Sequence, residues 1–120
     1  MTKRQKSVLV VDDEPKVLKF IEVGLKLKGF KVTTLTSGRE TLEQVDSLNP
    51  DIILLDIVMP EVNGLEVLKQ LRTYSELPVI AFSADSTNKY KALLNGANDF
   101  IVKPFDPTTV VKKINTILIN

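Results

Sequence analysis

The sequence predicts an α/β domain in which helices cover both faces of a parallel β-sheet. Three observations carry this expectation. Short apolar runs of strand length alternate five times with stretches of helical period. Three of the runs, SVLVV, IILL and PVIAF, are nearly continuous in apolar residues, as burial on both faces requires. At 120 residues, with 43% apolar and 26% charged side chains, the chain has the size and balance of one globular domain. Such a domain buries roughly two-thirds of its unfolded surface.

Each element follows from local chemistry. Residues 7–11 are the first strand. Behind Pro15, Val17, Leu18, Ile21 and Leu25 recur at three- and four-residue spacing on one helix face, and Lys28-Gly29 supplies a basic last turn and a glycine stop. FKVTTLT, residues 30–36, is β-branched and alternating, which suits a strand at a sheet edge. A helix over 38–48 breaks at Asn49-Pro50. The third strand, 51–56, leads through Met59-Pro60 to Gly64 and a helix over 64–73 that turns Leu65, Leu68 and Leu71 inward. A strand over 78–83, a helix over 86–95 ending at Asn95-Gly96 and a strand over 99–103 follow. The last helix runs over 107–118, with Pro107 near its first turn.

Composition excludes several functions. With 16 basic and 15 acidic residues the net charge is +1, so no overall field draws nucleic acid or an anionic membrane surface. No apolar stretch approaches the ~20 residues that cross a bilayer. The basic start, MTKRQK, leads into a run too short for a secretory signal, and Asp12, Asp13 and Glu14 end it. Absence of cysteine removes a disulfide framework, thiol catalysis and cysteine metal sites, and fits a cytoplasmic protein. Absence of histidine removes every histidine-dependent triad, so any phosphohistidine must sit on another molecule. Neither a P-loop nor a GxGxxG fingerprint occurs.

Polar residues gather at one end of the strands. Asp12 and Asp13 end the first, Asp56 the third, Ser83 the fourth and Lys103 the fifth. Parallel strands place these ends on one edge, where α/β sheets hold ligands. Asp56 follows IILL with no polar spacer, although charged side chains are rarely buried without a partner. Taken singly, Asp13 before Glu-Pro can cap the first helix and Ser83 can form a turn; four strand ends so equipped together favour a site. Two carboxylates ~4 Å apart repel by about 4 kcal/mol at an effective dielectric of about 20. Lys103 offsets part of this repulsion. A hard divalent cation offsets more, and Mg²⁺ suits a few carboxylates, water and phosphate oxygens. A metal beside a carboxylate, a lysine and a hydroxyl is equipment for phosphoryl transfer, in which aspartate is an accepted nucleophile.

VLVVDDEP, PDIILLDIVMPEVNGLE, Ser83 in VIAFSAD, and GANDFIVKPFDP together resemble the receiver domains of two-component response regulators, in order and spacing over nearly the whole chain. The resemblance implies one receiver domain over residues 1–120, a flavodoxin-like (βα)5 three-layer sandwich with strand order 2-1-3-4-5. It implies that Asp56 accepts a phosphoryl group from a sensor histidine kinase or a histidine phosphotransfer protein. Asp13, Asp56 and the Val58 backbone carbonyl would hold Mg²⁺, with Asp12 acting mainly through water. Lys103 would pair with the phosphoryl oxygens and the Ser83 hydroxyl would donate to one. Ser83 and Phe100 would form the switch, Phe100 filling the space that Ser83 vacates. The bond before Pro104 would be cis, aiming Lys103, whereas cis has a prior of only about 5% for an ordinary bond before proline. Such a chain is not an enzyme but a regulatory domain that assists its own phosphorylation and dephosphorylation. It would switch a surface made by the fourth helix, fifth strand and fifth helix, toward an effector or output domain that the sequence does not identify.

Two residues depart from common family patterns. Phe100 stands where tyrosine is frequent, and Val58 is apolar where some members carry a polar side chain. By resemblance Val58 and Asp85 flank the approach of hydrolytic water, so Val58 implies a long-lived aspartyl phosphate. Asp99 and Lys113 fall where receivers of winged-helix transcription factors place dimer-face charges, with lysine for the usual arginine, implying a weak dimer. The sequence ends with the fifth helix, as a stand-alone regulator or a receiver cut from a longer protein would. Three competing readings meet obstacles. A phosphatase of the haloacid dehalogenase type needs a second aspartate where Val58 stands, and a flavodoxin-type electron carrier needs a Ser/Thr/Gly-rich loop where DDEPK stands. A receiver that only docks has no use for the intact Asp12, Asp13, Asp56, Ser83 and Lys103 set.

Overall fold

Residues 4–60 and 62–119 are described by a computed structural model. Five strands alternate with five helices: β1 (Ser7–Val11), α1 (Pro15–Leu27), β2 (Lys31–Leu35), α2 (Gly38–Leu48), β3 (Ile52–Asp56), α3 (Gly64–Leu71), β4 (Val79–Ser83), α4 (Asn88–Leu94), β5 (Asp99–Val102) and α5 (Pro107–Ile117). Every pairing is parallel and the strand order is β2-β1-β3-β4-β5, the flavodoxin-like arrangement expected.

Residue parity along each strand decides which layer a side chain joins. Leu9, Val11, Ile53, Leu55, Val79, Ala81 and Phe100 face α2, α3 and α4, where they meet Val45, Val67, Leu68, Leu71 and Ala92. Val8, Val10, Ile52, Leu54, Ile80, Phe82 and Ile101 face α1 and α5, against Leu18, Ile21, Leu25, Val110 and Ile114. Strands β3 and β4 are buried along their whole length, whereas the edge strand β2 alternates exposed and covered residues, as its sequence predicts.

Side chains and left-handed residues set the helix ends. Ser37 accepts the Glu40 N–H at the start of α2, Asn63 the Glu66 N–H at α3 and Asp106 the Thr109 N–H at α5. The expected stops hold: Gly29, Asn49 and Gly96 have φ of 93°, 46° and 106°. Gly64 has a steric reason as well. A Cβ there would collide with the Asp56 carbonyl oxygen and Ile57 Cα, so its absence lets α3 start against the end of β3.

Most boundaries fall within a residue or two of expectation, and three of the differences have a visible cause. Asp51 lies outside β3 because its carboxylate accepts from Arg4 and from Ser7 N–H instead of extending the strand. Helix α3 ends at Leu71 and buries Val67, leaving Leu65 only partly covered. Helix α4 begins at Asn88, not 86, because polar turns hold the preceding segment: Ser83 Oγ accepts Asp85 N–H and Asp85 Oδ1 accepts Thr87 N–H. Among the described residues no helix is long and apolar enough to cross a membrane.

Candidate functional site

Parallel registry brings the strand ends to one edge. Asp12 and Asp13 directly follow β1, Asp56 ends β3, Ser83 ends β4 opposite Val102, and Lys103 directly follows β5. Lys103 N–H donates to the Ser83 carbonyl at 2.8 Å, so β5 stays zipped to β4 up to the lysine. The Lys103–Pro104 bond is cis, as the resemblance implies.

The lysine ammonium sits between two carboxylates. Lys103 Nζ lies 3.0 Å from Asp12 Oδ2 and 3.5 Å from Asp56 Oδ2. It also stands 5.1 Å from the centre of the Phe82 ring, which meets Phe105 edge-on at 5.5 Å. Asp12 is fully buried and Asp56 is 3% exposed. Their other oxygens are held by the backbone: Asp12 Oδ1 accepts Glu14 N–H at 2.9 Å, and Asp56 Oδ1 accepts Val58 N–H at 3.0 Å. Half-buried Asp13 enters none of these bonds, and it does not cap α1, whose N-cap is Glu14 without a side-chain bond.

Burial first, and the charge of Asp12 second, push Asp56 up to about 6; the Lys103 charge and the Val58 N–H pull the other way. Burial alone lowers Lys103, but its hydrogen bond to Asp12 and the charges of Asp56 and Asp12 outweigh it and leave the ammonium raised. Two charges thus face one, and the site remains short of positive charge.

The donor set fits a hard cation. Asp12, Asp13 and Asp56 each bring a carboxylate oxygen to within 4.8 Å of the others. Such a spacing would let these oxygens share one hard cation such as Mg²⁺, which takes oxygen ligands. Asp12 and Asp56 each have one oxygen on Lys103 and the other on a backbone N–H, whereas Asp13 enters none of these bonds.

Asp56, Val58, Ser83, Asp85 and Lys103 line one cleft of about 230 Å³, with Glu14 at its rim. Ser83 is buried, and its Oγ accepts Asp85 N–H at 3.1 Å and the Asn88 side-chain amide at 3.0 Å. Val58 is 63% exposed at the cleft mouth. The Phe100 ring is 5% exposed and packed in the same core cluster as Ala81, Ala92 and Ala97. Asp99 and Lys113 pair with each other at 2.9 Å within the chain. Sequence reasoning singled out neither Glu14 nor Asn88: an acidic residue before proline reads as an ordinary cap, and Asn88 falls inside the helix expected over 86–95.

A parallel α/β sheet with a metal-competent acidic cluster and a lysine at one edge defines the class. The model of the response regulator receiver domain matches residues 8–115, and the chain belongs to that family. Over 100 residues it is 40% identical to the transcriptional regulatory protein KdpE of Mycobacterium tuberculosis, covering 82% of this chain and 44% of that protein. It is 35% identical over 119 residues to the CAI-1 autoinducer sensor kinase/phosphatase CqsS of Vibrio cholerae, covering 94% of this chain and 17% of that protein. The structure superposes on the chemotaxis response regulator CheY4 of Vibrio cholerae with a TM-score of 0.88 at 29% identity, covering 96% of this chain and all of that one. The chain thus spans half or less of the length of the curated relatives it matches.

Proposed function

We propose that residues 1–120 act as one receiver unit that takes a phosphoryl group onto Asp56 from a phosphohistidine on a sensor histidine kinase or phosphotransfer protein. The observation that carries this reading is the convergence of Asp12, Asp13, Asp56, Ser83 and Lys103 from four strand ends, with Lys103 Nζ seated between two buried carboxylates. An ionised Asp56 oxygen forms the new bond to phosphorus. The phosphorus–nitrogen bond breaks, and its electron pair leaves with the imidazole. Bound Mg²⁺, held by Asp13, Asp56 and the Val58 carbonyl with Asp12 through water, would supply positive charge for the phosphoryl oxygens. Lys103 turns from the carboxylates to those same oxygens, and Ser83 donates its proton to one. A partner has a footing beside the site: an apolar groove lined by Phe20, Pro104 and Phe105 opens next to Lys103.

The reading makes the chain a phosphorylated regulatory domain, with α4, β5 and α5 as the output surface. That surface carries exposed Tyr90, Leu94 and Val102. Ser83 and Phe100 are the switch pair of this reading, with Phe100 packed under the α4 face and Asp99 paired with Lys113 beside it. Relatives that include a transcriptional regulator and a sensor kinase leave the effector open.

Incubation with acetyl phosphate and Mg²⁺ tests the reading by intact mass. One phosphoryl group is expected, with none in Asp56→Asn and none in excess chelator. Full labelling of Asp56→Asn, or of wild type without divalent metal, overturns it.

A further inference from the structure

The Ser83 hydroxyl has one proton to give and two lone pairs to receive. Both lone pairs are engaged, by Asp85 N–H at 3.1 Å and by the Asn88 amide at 3.0 Å. The proton is left to point in a third direction. Ser83 is 1% exposed, and the cleft that it lines is shared with Asp56 and Lys103. Asn88 itself is doubly tied: it is the first residue of α4, and its backbone N–H donates to the Asp85 carbonyl at 3.1 Å.

We propose that Asn88 is a positioning residue of the phosphoryl site, whose side-chain amide aims the Ser83 proton into the Asp56 cleft and fastens the start of α4 to that hydroxyl. The inference rests on the reading of Asp56 as phosphoacceptor. Residue type matters here. Asparagine brings an N–H donor, whereas aspartate at the same place can only accept, and would draw the Ser83 proton away from the cleft. Once an anionic oxygen accepts that proton, the Ser83 oxygen becomes a stronger acceptor and grips Asn88 harder. Charge on Asp56 is then felt at α4 through two hydrogen bonds.

Beryllofluoride with Mg²⁺, a tetrahedral mimic of the phosphoryl group, tests this by amide NMR titration. Asn88→Ala should weaken its binding about fivefold, as loss of one orienting hydrogen bond implies. Asn88→Asp should weaken it further. In Asn88→Ala the shifts at residues 88–94 should shrink while those around Asp56 and Lys103 persist. The decisive comparison is in a Ser83→Ala background, where Asn88→Ala should cost nothing more. A role in folding alone would carry its full cost into that background, and this result, or equal affinity of Asn88→Ala and wild type, overturns the inference. Failure of wild type to bind beryllofluoride at all overturns the Asp56 reading, and the inference with it.

Discussion

Val58 stands 63% exposed at the mouth of the cleft that holds Asp56. Hydrolysis of an aspartyl phosphate needs a water in line with the bond to be broken, and an isopropyl group offers that water no hydrogen bond. Asp85, the other candidate to orient it, has Oδ1 taken by Thr87 N–H at 2.9 Å and Thr87 Oγ1 at 2.6 Å. Val58→Asn should therefore speed loss of phosphate by roughly tenfold, about 1.4 kcal/mol in barrier. Decay of labelled protein after donor removal, at constant Mg²⁺, measures it; equal rates remove Val58 from this role. Asp56 and Lys103 were legible in sequence because a charge at the end of an apolar run is conspicuous. Asn88 was not, since its partner is chosen by the turn over residues 84–87, which no periodicity announces.

Between elements, the tightest constraint is the start of α3 against the end of β3. Gly64 N–H donates to the Ile57 carbonyl at 2.8 Å, and a Cβ at Gly64 would press on the peptide that carries Asp56. Gly64→Ala should cost about 1–3 kcal/mol of stability, the usual range for overpacking. It should also lower acetyl phosphate labelling several-fold, because the collision displaces the Asp56 backbone. Urea unfolding and intact mass give the two numbers, and a variant unchanged in both contradicts this account. Element type was legible throughout, because periods of 3.6 and 2 are written in Leu18-Ile21-Leu25 and in FKVTTLT. Boundaries were less so. The caps Ser37 and Asn63 each precede a glutamate by three residues, a readable signature. The late start of α4 depends instead on local side-chain turns over residues 83–87, and the inward turn of Val67 on core neighbours from other elements.

For the molecule as a whole, the buried carboxylates of the site are a liability without a compensating cation. Asp56 titrates at about 6 when folded, under burial and the Asp12 charge, and near an ordinary aspartate value of about 3.9 when unfolded. Between those values the folded protein keeps a proton that the unfolded chain has released. The metal-free protein therefore loses stability as pH rises from about 4 to about 6. In chelator, Asp56→Asn should be more stable than wild type at pH 7, with the gap closing toward pH 4. Mg²⁺ at pH 7 should narrow it by stabilising wild type. Urea unfolding at both pH values checks this, and a gap independent of pH contradicts it. The separation of Lys103 from Asp12, 91 residues along the chain, adds a further consequence. On the ribosome the acidic members of the site are made first and their counter-charge last. A half-finished chain carries Asp56 without the lysine that steadies it, so the proposed phosphoacceptor site is complete only once β5 has docked.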